Sequence, residues 1–339
     1  MNSFKPPVDL RVRDIGEQGL LERLQRFCPA NLVGDDAAVM PSPDSGRSLV
    51  VTTDVLVDGV HFSDRTTSPE DAGWRATAAN LSDLAAMGAT PIGITVGLSV
   101  TGDVAVSWVE RLYQGMTQCL QQYDTVIVGG DVVRSPIISL SITAFGQACP
   151  NRILRRSTAV VGNAIVVTGV HGASRAGLEL LLKPELGKHI SEAERTYLIQ
   201  AHQRPKPRLD VLPLLWNSLD SYSQIQVAGM DSSDGLADAV LQLCRASGVG
   251  ARLDRTSIPL SPAMSKLVSP QTLDWVLYGG EDFELVLCLP PKPAESLVAQ
   301  LEGAAIIGNI TTGTEVWLTD STGTSVDELL TLSRGFQHF

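Results

Sequence analysis

The sequence predicts an α+β protein with two domains. The chain has 339 residues, helical and strand-like segments alternate without a regular βαβ rhythm, and a stretch rich in glycine, proline and arginine interrupts them at 146–163. A chain of this length exceeds what a single hydrophobic core usually serves. Because helices and strands mix without the doubly wound pattern, α+β is favoured over α/β. We expect domains at 1–150 and 151–339.

Periodicity predicts the elements of the first domain. Apolar residues recur at helical spacing in 17–27, and helical patterns return at about 70–88 and 105–122. The stretch SLVVTTD at 48–54 predicts a short buried strand that runs into a polar turn. Three further strands are predicted from IGITVGLSV, TVIVGGD and IISLSITAFGQA.

The second domain is predicted to open on the apolar strand AIVVTG, directly after the interrupting stretch. Strands are also expected at FELVLCL and AAIIGNI. Helical patterns occur near 174–182, 191–202, 208–218 and 234–247.

Composition excludes several classes of protein. The net charge of -11 argues against binding to a nucleic-acid backbone, which requires clustered lysine and arginine. The run PIGITVGLSV at 91–100 is too short to cross a bilayer, and the N-terminus lacks the apolar core of a signal peptide. We therefore expect a cytoplasmic protein that does not bind a membrane. The five cysteines form no C-x-x-C pair, which indicates buried thiols rather than disulfides or zinc.

Common phosphate-binding fingerprints are missing from the sequence. There is no G-x-x-x-x-G-K-[ST], and GVGARL at 248–253 lacks the last glycine of the dinucleotide motif. The signatures of protein kinases are absent too. A nucleotide, if bound, must be held in another way.

Acidic residues instead recur at the ends of apolar runs, often beside glycine. The segments are VGDDAAV, TTDVLVDGVHF, NLSDLAAMGATP, VGGD, DSSDGL and GGEDFEL. Taken singly, Asp234 fits a helix N-cap, Asp131 a turn and Asp83 the cap of a short helix. Taken together, converging carboxylates about 4 Å apart would repel by roughly 4 kcal/mol at an effective dielectric near 20. Divalent cations relieve such repulsion, and hard oxygen donors suit Mg²⁺.

The ordered set of segments, from about residue 34 to 285, resembles the thiamine-monophosphate kinase family. This family is a branch of the ATP-binding superfamily typified by aminoimidazole ribonucleotide synthetase. The C-terminal RGFQHF is similar to the family's ending. Each motif alone is weak, whereas their order is specific.

The resemblance implies an N-terminal α+β domain that forms a dimer sheet or barrel with a second subunit, and a C-terminal α/β layered domain. It also implies that Mg²⁺ assists transfer of the γ-phosphoryl group of ATP to thiamine monophosphate, in a homodimer. The second pKa of a phosphate monoester lies near 6, so the attacking oxygen needs no strong base. Alignment and charge neutralisation are what such a site must supply.

Site residues follow from the resemblance, position by position. The residues implied to hold metal are Asp36, Thr52, Thr53, Asp54, Asp83, Asp131, Asp231 and Asp234. Asp131, Asp231 and Asp234 are also the candidate catalytic residues. Those on the nucleotide side are Tyr113, Gly130, Arg156 and Ser233. Those on the substrate side are His61, Glu281 and Phe336, the last through stacking on an aromatic ring.

Structural alternatives stand beside several of these assignments. Tyr113 fits the core face of an amphipathic helix, Arg156 a solvated linker, His61 a core histidine and Phe336 the packing of a chain end. The chain departs from the family at Gly162-Asn163, where Gly-Asp is frequent, and this weakens the assignment of Arg156. Two other functions remain open: a different ATP-dependent enzyme of the superfamily, and a non-catalytic protein that binds nucleotide or cations.

Overall fold

The computed structural model describes residues 10–29, 43–220, 222, 227–267, 272–322 and 326–335. The chain divides into two compact units. Unit 1 comprises Met1–Pro43, Val51–Asn80 and Pro91–Gly146, and unit 2 comprises Asp44–Val50, Leu81–Thr90 and Gln147–Phe339. The domain limits 1–150 and 151–339 remain a prediction, because two short segments before residue 150 pack with unit 2.

Unit 1 is built on a four-stranded sheet in the order β1-β4-β2-β3, with β2 and β3 parallel. The elements from the first half of the chain are α1 (Val12–Leu24), β1 (Ser48–Val57), α2 (Pro69–Ala86), β2 (Thr90–Val100), α3 (Val106–Gln121), β3 (Ile127–Arg134) and β4 (Ser139–Ala148). Strand β4 alternates buried and half-exposed residues along its whole length, so one face of the sheet is covered. Helices α2 and α3 pack backbone to backbone, since a Cβ at Gly73 would lie 2.0 Å from the carbonyl oxygen of Leu112.

The prediction of a short buried strand at 48–54 was wrong in two respects. Strand β1 continues to Val57, so no polar turn follows residue 54. Its other face is open to solvent: Leu49, Val51 and Val55 are exposed by 54%, 52% and 52%. An apolar run therefore does not require burial on both faces, and alternation had to be read residue by residue.

Unit 2 contains a seven-stranded sheet in the order β11-β10-β7-β9-β5-β8-β6, in which only β7 and β10 pair in parallel. Its strands are β5 (Ala164–Val167), β6 (Ala228–Asp231), β7 (Gly250–Asp254), β8 (Leu285–Leu289), β9 (Ala305–Thr311), β10 (Val316–Thr319) and β11 (Glu328–Leu329). The helices are α4 (Ala173–Leu182), α5 (Glu192–Gln203), α6 (Val211–Leu219), α7 (Leu236–Ser247), α8 (Pro262–Lys266), α9 (Thr272–Tyr278) and α10 (Pro291–Val298).

Both faces of this sheet are covered, which makes unit 2 layered. Along β5, Ile165 and Val167 pack into one core with residues of α4, α5, α7 and α9. Val166 between them packs into a second core with residues of α6 and α10. Successive strand residues point to opposite faces, so a strand that is apolar at every position serves two cores. The predicted α+β class is confirmed, with helices layered on the C-terminal sheet.

The helix predicted at 191–202 is α5, and local chemistry sets its start. Ser191 is the N-cap: its hydroxyl accepts a hydrogen bond from the Glu194 backbone N–H, and the Glu194 carboxylate accepts one from the Ser191 N–H. This reciprocal pair satisfies two N–H groups that the first turn leaves unpaired. The helix predicted at 17–27 begins earlier, at Val12, and is broken by a left-handed Gly16 with φ of 67°.

Candidate active site

The turn after β6 presents the densest group of predicted residues. Asp231 ends the strand and is only 2% exposed. Its Oδ2 accepts a hydrogen bond of 2.7 Å from the Ser82 hydroxyl, and its Oδ1 accepts one of 3.1 Å from the Ser233 hydroxyl. Both carboxylate oxygens are therefore oriented by hydroxyl donors.

Asp234 lies three residues further on and is exposed. Helix α7 begins at Leu236 with Gly235 as its N-cap, and no side chain caps it. Gly235 has φ of 109°, a conformation that favours glycine. The N-cap alternative for Asp234 is thus wrong, and its carboxylate is not needed to start the helix.

Asp238, one helical turn after Asp234, adds a second carboxylate at this point. Burial raises the pKa of Asp238, and the negative charge of Asp234 raises it further. The positive charge of Arg156 partly offsets this effect, so the predicted nucleotide-side arginine lies in the same region. Arg156 is exposed, and its carbonyl oxygen accepts a 2.9 Å hydrogen bond from the Ser247 hydroxyl.

The turn GGED, which precedes β8, contacts the first turn directly. The Glu281 N–H donates a 2.7 Å hydrogen bond to the carbonyl oxygen of Ser233. Gly280 is required there, because a Cβ would lie 2.3 Å from the same oxygen. Glu281 and Phe283 adopt left-handed φ values of 69° and 53°. Such strain in residues other than glycine is concentrated at functional sites. A predicted nucleotide-side residue, Ser233, and a predicted substrate-side residue, Glu281, are thus neighbours.

Asp282 anchors the GGED turn to the start of α4. Its two carboxylate oxygens accept hydrogen bonds from the backbone N–H groups of Gly172 (2.6 Å) and Ser174 (2.9 Å). Burial raises the pKa of Asp282 to about 7, although these two bonds favour the carboxylate. Next along the chain, Glu284 forms a buried ion pair with Arg208 at 2.5 Å. The turn is held at both ends.

Four contributing residues were missed by sequence reasoning: Ser82, Ser232, His171 and His202. His171 is fully buried, and its Nε2 lies 3.0 Å from the Ser232 hydroxyl. Burial lowers the pKa of His171 to about 4, so the ring is neutral at physiological pH. No spacing signal identifies these residues, since Ser82 and Asp231 are 149 positions apart.

In unit 1, strand β1 carries three of the predicted metal residues. Its alternating exposure puts Thr52 and Asp54 on the covered face and Thr53 on the open face. The Thr53 hydroxyl lies 2.7 Å from that of Thr143 on β4. The Asp54 N–H donates a 3.2 Å hydrogen bond to Oδ1 of the buried Asn80. Asp54 thus lies within the strand and not in a turn after it.

Asp131 also lies within a strand, β3, so the turn alternative for it was wrong. It is paired with Gly97 of β2 and shares the open face of the sheet. Its Oδ1 accepts a 2.9 Å hydrogen bond from the Val132 N–H. Neighbouring Gly130 faces the other way, where a Cβ would lie 2.2 Å from the carbonyl oxygen of Val96. Packing against β2 is therefore a sufficient reason for glycine at 130.

Tyr113 and His61, predicted for the nucleotide and substrate sides, are less exposed to solvent than Asp131. Tyr113 on α3 is 4% exposed, and its ring centre lies 5.7 Å from that of Phe27. Burial raises the pKa of its phenol, as the alternative of a core tyrosine predicts. His61 is half-buried, and its Nδ1 accepts a 3.1 Å hydrogen bond from the Val57 N–H. This bond leaves any proton of a neutral ring on Nε2.

Two predicted residues, Asp36 and Phe336, lie outside the described residues. Asp83 lies within α2 and is half-buried, so its alternative as the cap of a short helix was wrong.

All five cysteines are free thiols, three of them buried. No helix within the described ranges is long and apolar enough to span a membrane.

The donor chemistry of the predicted metal residues fits Mg²⁺. They offer carboxylate and hydroxyl oxygens, the hard donors that this ion prefers. The mutual repulsion of Asp234 and Asp238 is the kind that a bound cation relieves. Among the residues that the structure describes, no three histidine, cysteine, aspartate or glutamate side chains are grouped closely enough to hold an ion by themselves.

Both halves of the chain match known domain families. Residues 34–148 match the AIR synthase related protein N-terminal domain, and residues 160–320 match the corresponding C-terminal domain. The chain is therefore a two-domain protein of the AIR synthase related class. A thiamine-monophosphate kinase of Synechococcus elongatus is 54% identical over 332 residues, 98% of each chain. One of Aquifex aeolicus is 32% identical, over 97% of this chain and 100% of that protein. The chain belongs to the thiamine-monophosphate kinase family, a family of phosphotransferases.

Solved structures agree with this assignment. The thiamine-monophosphate kinase of Stenotrophomonas maltophilia has a TM-score of 0.75 at 33% identity, covering 88% of this chain and 94% of that one. The structure of AaThiL complexed with AMPPCP and TMP has a TM-score of 0.72 at 32% identity, covering 96% and 99%. The fold and the family are thus the same.

Proposed function

We propose that the protein transfers the γ-phosphoryl group of ATP to the phosphate of thiamine monophosphate, with Mg²⁺, and releases thiamine diphosphate and ADP. The observation that carries this proposal is the correspondence with thiamine-monophosphate kinases over nearly the whole chain, 98% of it at 54% identity. The similar AaThiL structure holds AMPPCP and TMP together. Both substrate classes are therefore supported by a relative of the same fold.

The reaction needs charge neutralisation more than a base. Both reactants are anionic, and the acceptor phosphate is already largely deprotonated at neutral pH, with a pKa near 6. Mg²⁺ bound to the aspartates would offset charge on the transferring phosphoryl group and on both reacting oxygens. The residues proposed to hold it are Asp36, Thr52, Thr53, Asp54, Asp83, Asp131, Asp231 and Asp234.

The geometry of β1 limits how its residues can bind an ion. The side chains of Thr53 and Asp54 point to opposite faces of the sheet. They cannot both ligate one ion through their side chains. If both contribute to the same ion, Thr53 must do so through its carbonyl oxygen, a donor that hard cations accept.

The turn after β6 and the GGED turn are proposed to contribute different groups, the first to the phosphates and the metal and the second to the thiamine portion. The Ser82 and Ser233 hydroxyls hold Asp231 in one orientation, and Asp234 is exposed beside it. Arg156 provides a guanidinium that suits phosphate oxygens. Glu281, a carboxylate, would repel a phosphate, so its place on the substrate side suits the cationic thiazolium or the amino group of the thiamine portion. The direct contact of Ser233 with Glu281 ties the two functions together.

The function is tested by incubating the protein with ATP and Mg²⁺, and with either thiamine monophosphate or free thiamine. We expect thiamine diphosphate and ADP in equal amounts from the monophosphate and no product from thiamine. Inversion of configuration at an isotopically chiral γ-phosphorus would support direct in-line transfer. ADP and free phosphate without thiamine diphosphate would point to another reaction of the superfamily, and binding without any turnover to a non-catalytic protein.

We also propose a homodimer that uses the open face of the four-stranded sheet. Leu49, Val51, Val55 and Val133 are all about half exposed on this face. An exposed apolar sheet face of this kind is typical of an interaction surface. Light scattering at micromolar concentration should give twice the 36.2 kDa of one chain, and replacing Val51 by lysine should give monomers. A wild-type monomer would contradict this assembly.

A further inference from the structure

His202, on the last turn of α5, approaches the substrate-side turn from within the core. The residue is 3% exposed. Its Nδ1 lies 3.3 Å from the Ser174 hydroxyl and 3.9 Å from Oε2 of Glu281. One nitrogen of a buried imidazole therefore faces a carboxylate that is partly exposed, since the Glu281 side chain has 35% of its surface in solvent.

The backbone that carries Glu281 is fixed independently of His202. The Glu281 N–H is bonded to the Ser233 carbonyl, and the Asp282 carboxylate is bonded to two N–H groups at the start of α4. The φ angle of Glu281 is 69°, a left-handed backbone conformation that few residues other than glycine adopt, and it sets the direction in which the side chain leaves the backbone. The rotamer of its long side chain is a separate degree of freedom, and fixing it costs conformational entropy.

Ser174 joins the two parts of this arrangement. Its backbone N–H donates to Asp282, and its hydroxyl meets the imidazole that approaches Glu281. When Nδ1 carries the proton, its N–H donates a hydrogen bond to the Ser174 hydroxyl oxygen, and the same nitrogen lies 3.9 Å from Oε2 of Glu281. The same serine thus anchors the turn and orients the ring.

We propose that His202 is a positioning residue, which holds the Glu281 carboxylate through Nδ1 in the orientation that binds the cationic thiazolium or the amino group of thiamine monophosphate. The inference rests on the proposed function, because it concerns affinity for that substrate. His202 is buried behind Glu281 and acts through it. Loss of the imidazole should therefore weaken binding of thiamine monophosphate and leave binding of ATP unchanged.

A purely structural histidine would behave differently, and two replacements separate the cases. His202→Leu approximates the volume and removes both ring nitrogens. His202→Asn is smaller but keeps a polar group near the position of Nδ1. If His202 only fills space, His202→Asn should raise KM for thiamine monophosphate more than His202→Leu does, because asparagine leaves a larger cavity. If His202 positions Glu281, His202→Leu should raise this KM more, because leucine has no polar group near the position of Nδ1.

The test is steady-state kinetics of the full-length variants, with KM for each substrate and kcat measured separately. His202→Leu should raise KM for thiamine monophosphate about tenfold, because the Glu281 carboxylate loses the polar group that lies 3.9 Å from its Oε2, and KM for ATP should stay within about twofold of wild type. His202→Asn should recover most of the affinity. His189→Leu, at an exposed histidine in the same unit, should change neither constant.

Equal changes in the two KM values, or a larger effect of asparagine than of leucine, would overturn the role of His202 while leaving the proposed function intact. A wild-type protein that makes no thiamine diphosphate would overturn both. If the leucine variant fails to fold, Ser174→Ala replaces it in the comparison with His202→Asn. A raised KM for thiamine monophosphate alone in Ser174→Ala supports the proposal, and unchanged constants overturn it.

Discussion

The acidic residues of the two units are held in different ways. In unit 1, Asp54 and Asp131 lie inside strands, and the alternation of the strand sets the direction of each side chain. In unit 2, Asp231 is the last residue of a strand and Glu281 lies in a turn, and contacts from distant parts of the chain orient both. A strand offers few directions but needs little support. A residue at the end of a strand or in a turn has more freedom of direction, so its side chain is fixed by hydrogen bonds such as those from Ser82 and Ser233 to Asp231.

This difference separates two kinds of sensitivity. Substitutions at exposed carboxylates in the turns of unit 2 should affect chemistry without affecting the fold. Substitutions in the strands of unit 1 should act either on packing or on metal binding, depending on the residue and on the face that it occupies. Four variants test this contrast.

The largest effect is expected for Asp234→Asn. The change keeps the shape of an exposed side chain and removes its charge, so turnover should fall by about a hundredfold or more, as when one electrostatic group of a transition state is lost. The free energy of unfolding should stay within about 0.5 kcal/mol of wild type, as for most surface changes. The measurements are kcat and urea unfolding. Asp220→Asn, at another exposed aspartate of unit 2, is the control and should be fully active. Wild-type turnover in Asp234→Asn would remove this residue from the site.

Gly130→Ala should destabilise unit 1. The new Cβ would lie 2.2 Å from the Val96 carbonyl oxygen, a backbone atom that cannot move aside cheaply. We expect the free energy of unfolding to fall by about 3 kcal/mol, the upper end for overpacking. The matched control is Gly129→Ala, whose Cβ would meet only the Thr95 methyl group at 4.0 Å. Equal stability of the two variants in denaturant unfolding would show that packing does not require glycine at 130.

Asp282 should make the stability of unit 2 depend on pH. Burial raises the pKa of its carboxyl to about 7, above the value of 3.8 for a free aspartate. A carboxyl group whose pKa is raised in the folded state contributes its full stabilisation at pH values below the pKa of the unfolded state. This contribution is lost as the pH rises through the folded-state pKa of about 7. Wild type should therefore lose on the order of 2 kcal/mol relative to Asp282→Asn between about pH 5 and pH 8.

Asp282→Asn replaces one of the two carboxylate oxygens that accept hydrogen bonds from the Gly172 and Ser174 N–H groups. This loss costs the same free energy at every pH, so only the slope of the stability difference against pH matters. Urea unfolding of both proteins across this range measures that slope. A difference that does not change with pH would mean that the carboxyl is ionised throughout.

The smallest effect is expected for Thr53→Val. The variant loses the hydroxyl that faces Thr143 on the open side of the sheet but keeps the backbone carbonyl. If Thr53 contributes only through that carbonyl, the Mg²⁺ concentration for half-maximal activity should stay within about twofold of wild type. A tenfold increase would show that the hydroxyl itself binds, against the alternation of β1. The assay is a magnesium titration of turnover.

Much of the fold could be predicted, because it depends on local patterns. The capping pair of Ser191 and Glu194 marks the start of α5, and apolar runs mark the strands. The ends of the strands in unit 1 were misjudged because glycine and aspartate were taken as turn signals at 54 and 131. In the sheet, Gly130 is demanded by contact with β2, a tertiary effect that overrides the local preference.

The acidic candidates for the site could be proposed from the sequence, whereas the residues that orient them could not. Asp231 and Asp234 were found from their motif, whereas Ser82 lies far away in sequence and carries no recognisable spacing. The left-handed Glu281 was not expected either, because glutamate seldom adopts this conformation and only the surrounding bonds impose it. Motifs suggest candidate groups, and the long-range contacts that orient these groups become visible only in the fold.

The central claim is that the aspartates themselves hold magnesium, beyond the ion that accompanies ATP. The most direct measurement is the rate of thiamine diphosphate formation as Mg²⁺ is raised past the concentration of ATP, with both substrates saturating. If the aspartates bind further ions, turnover should keep rising steeply after all ATP is complexed. Turnover that reaches its maximum once MgATP is complete would contradict it.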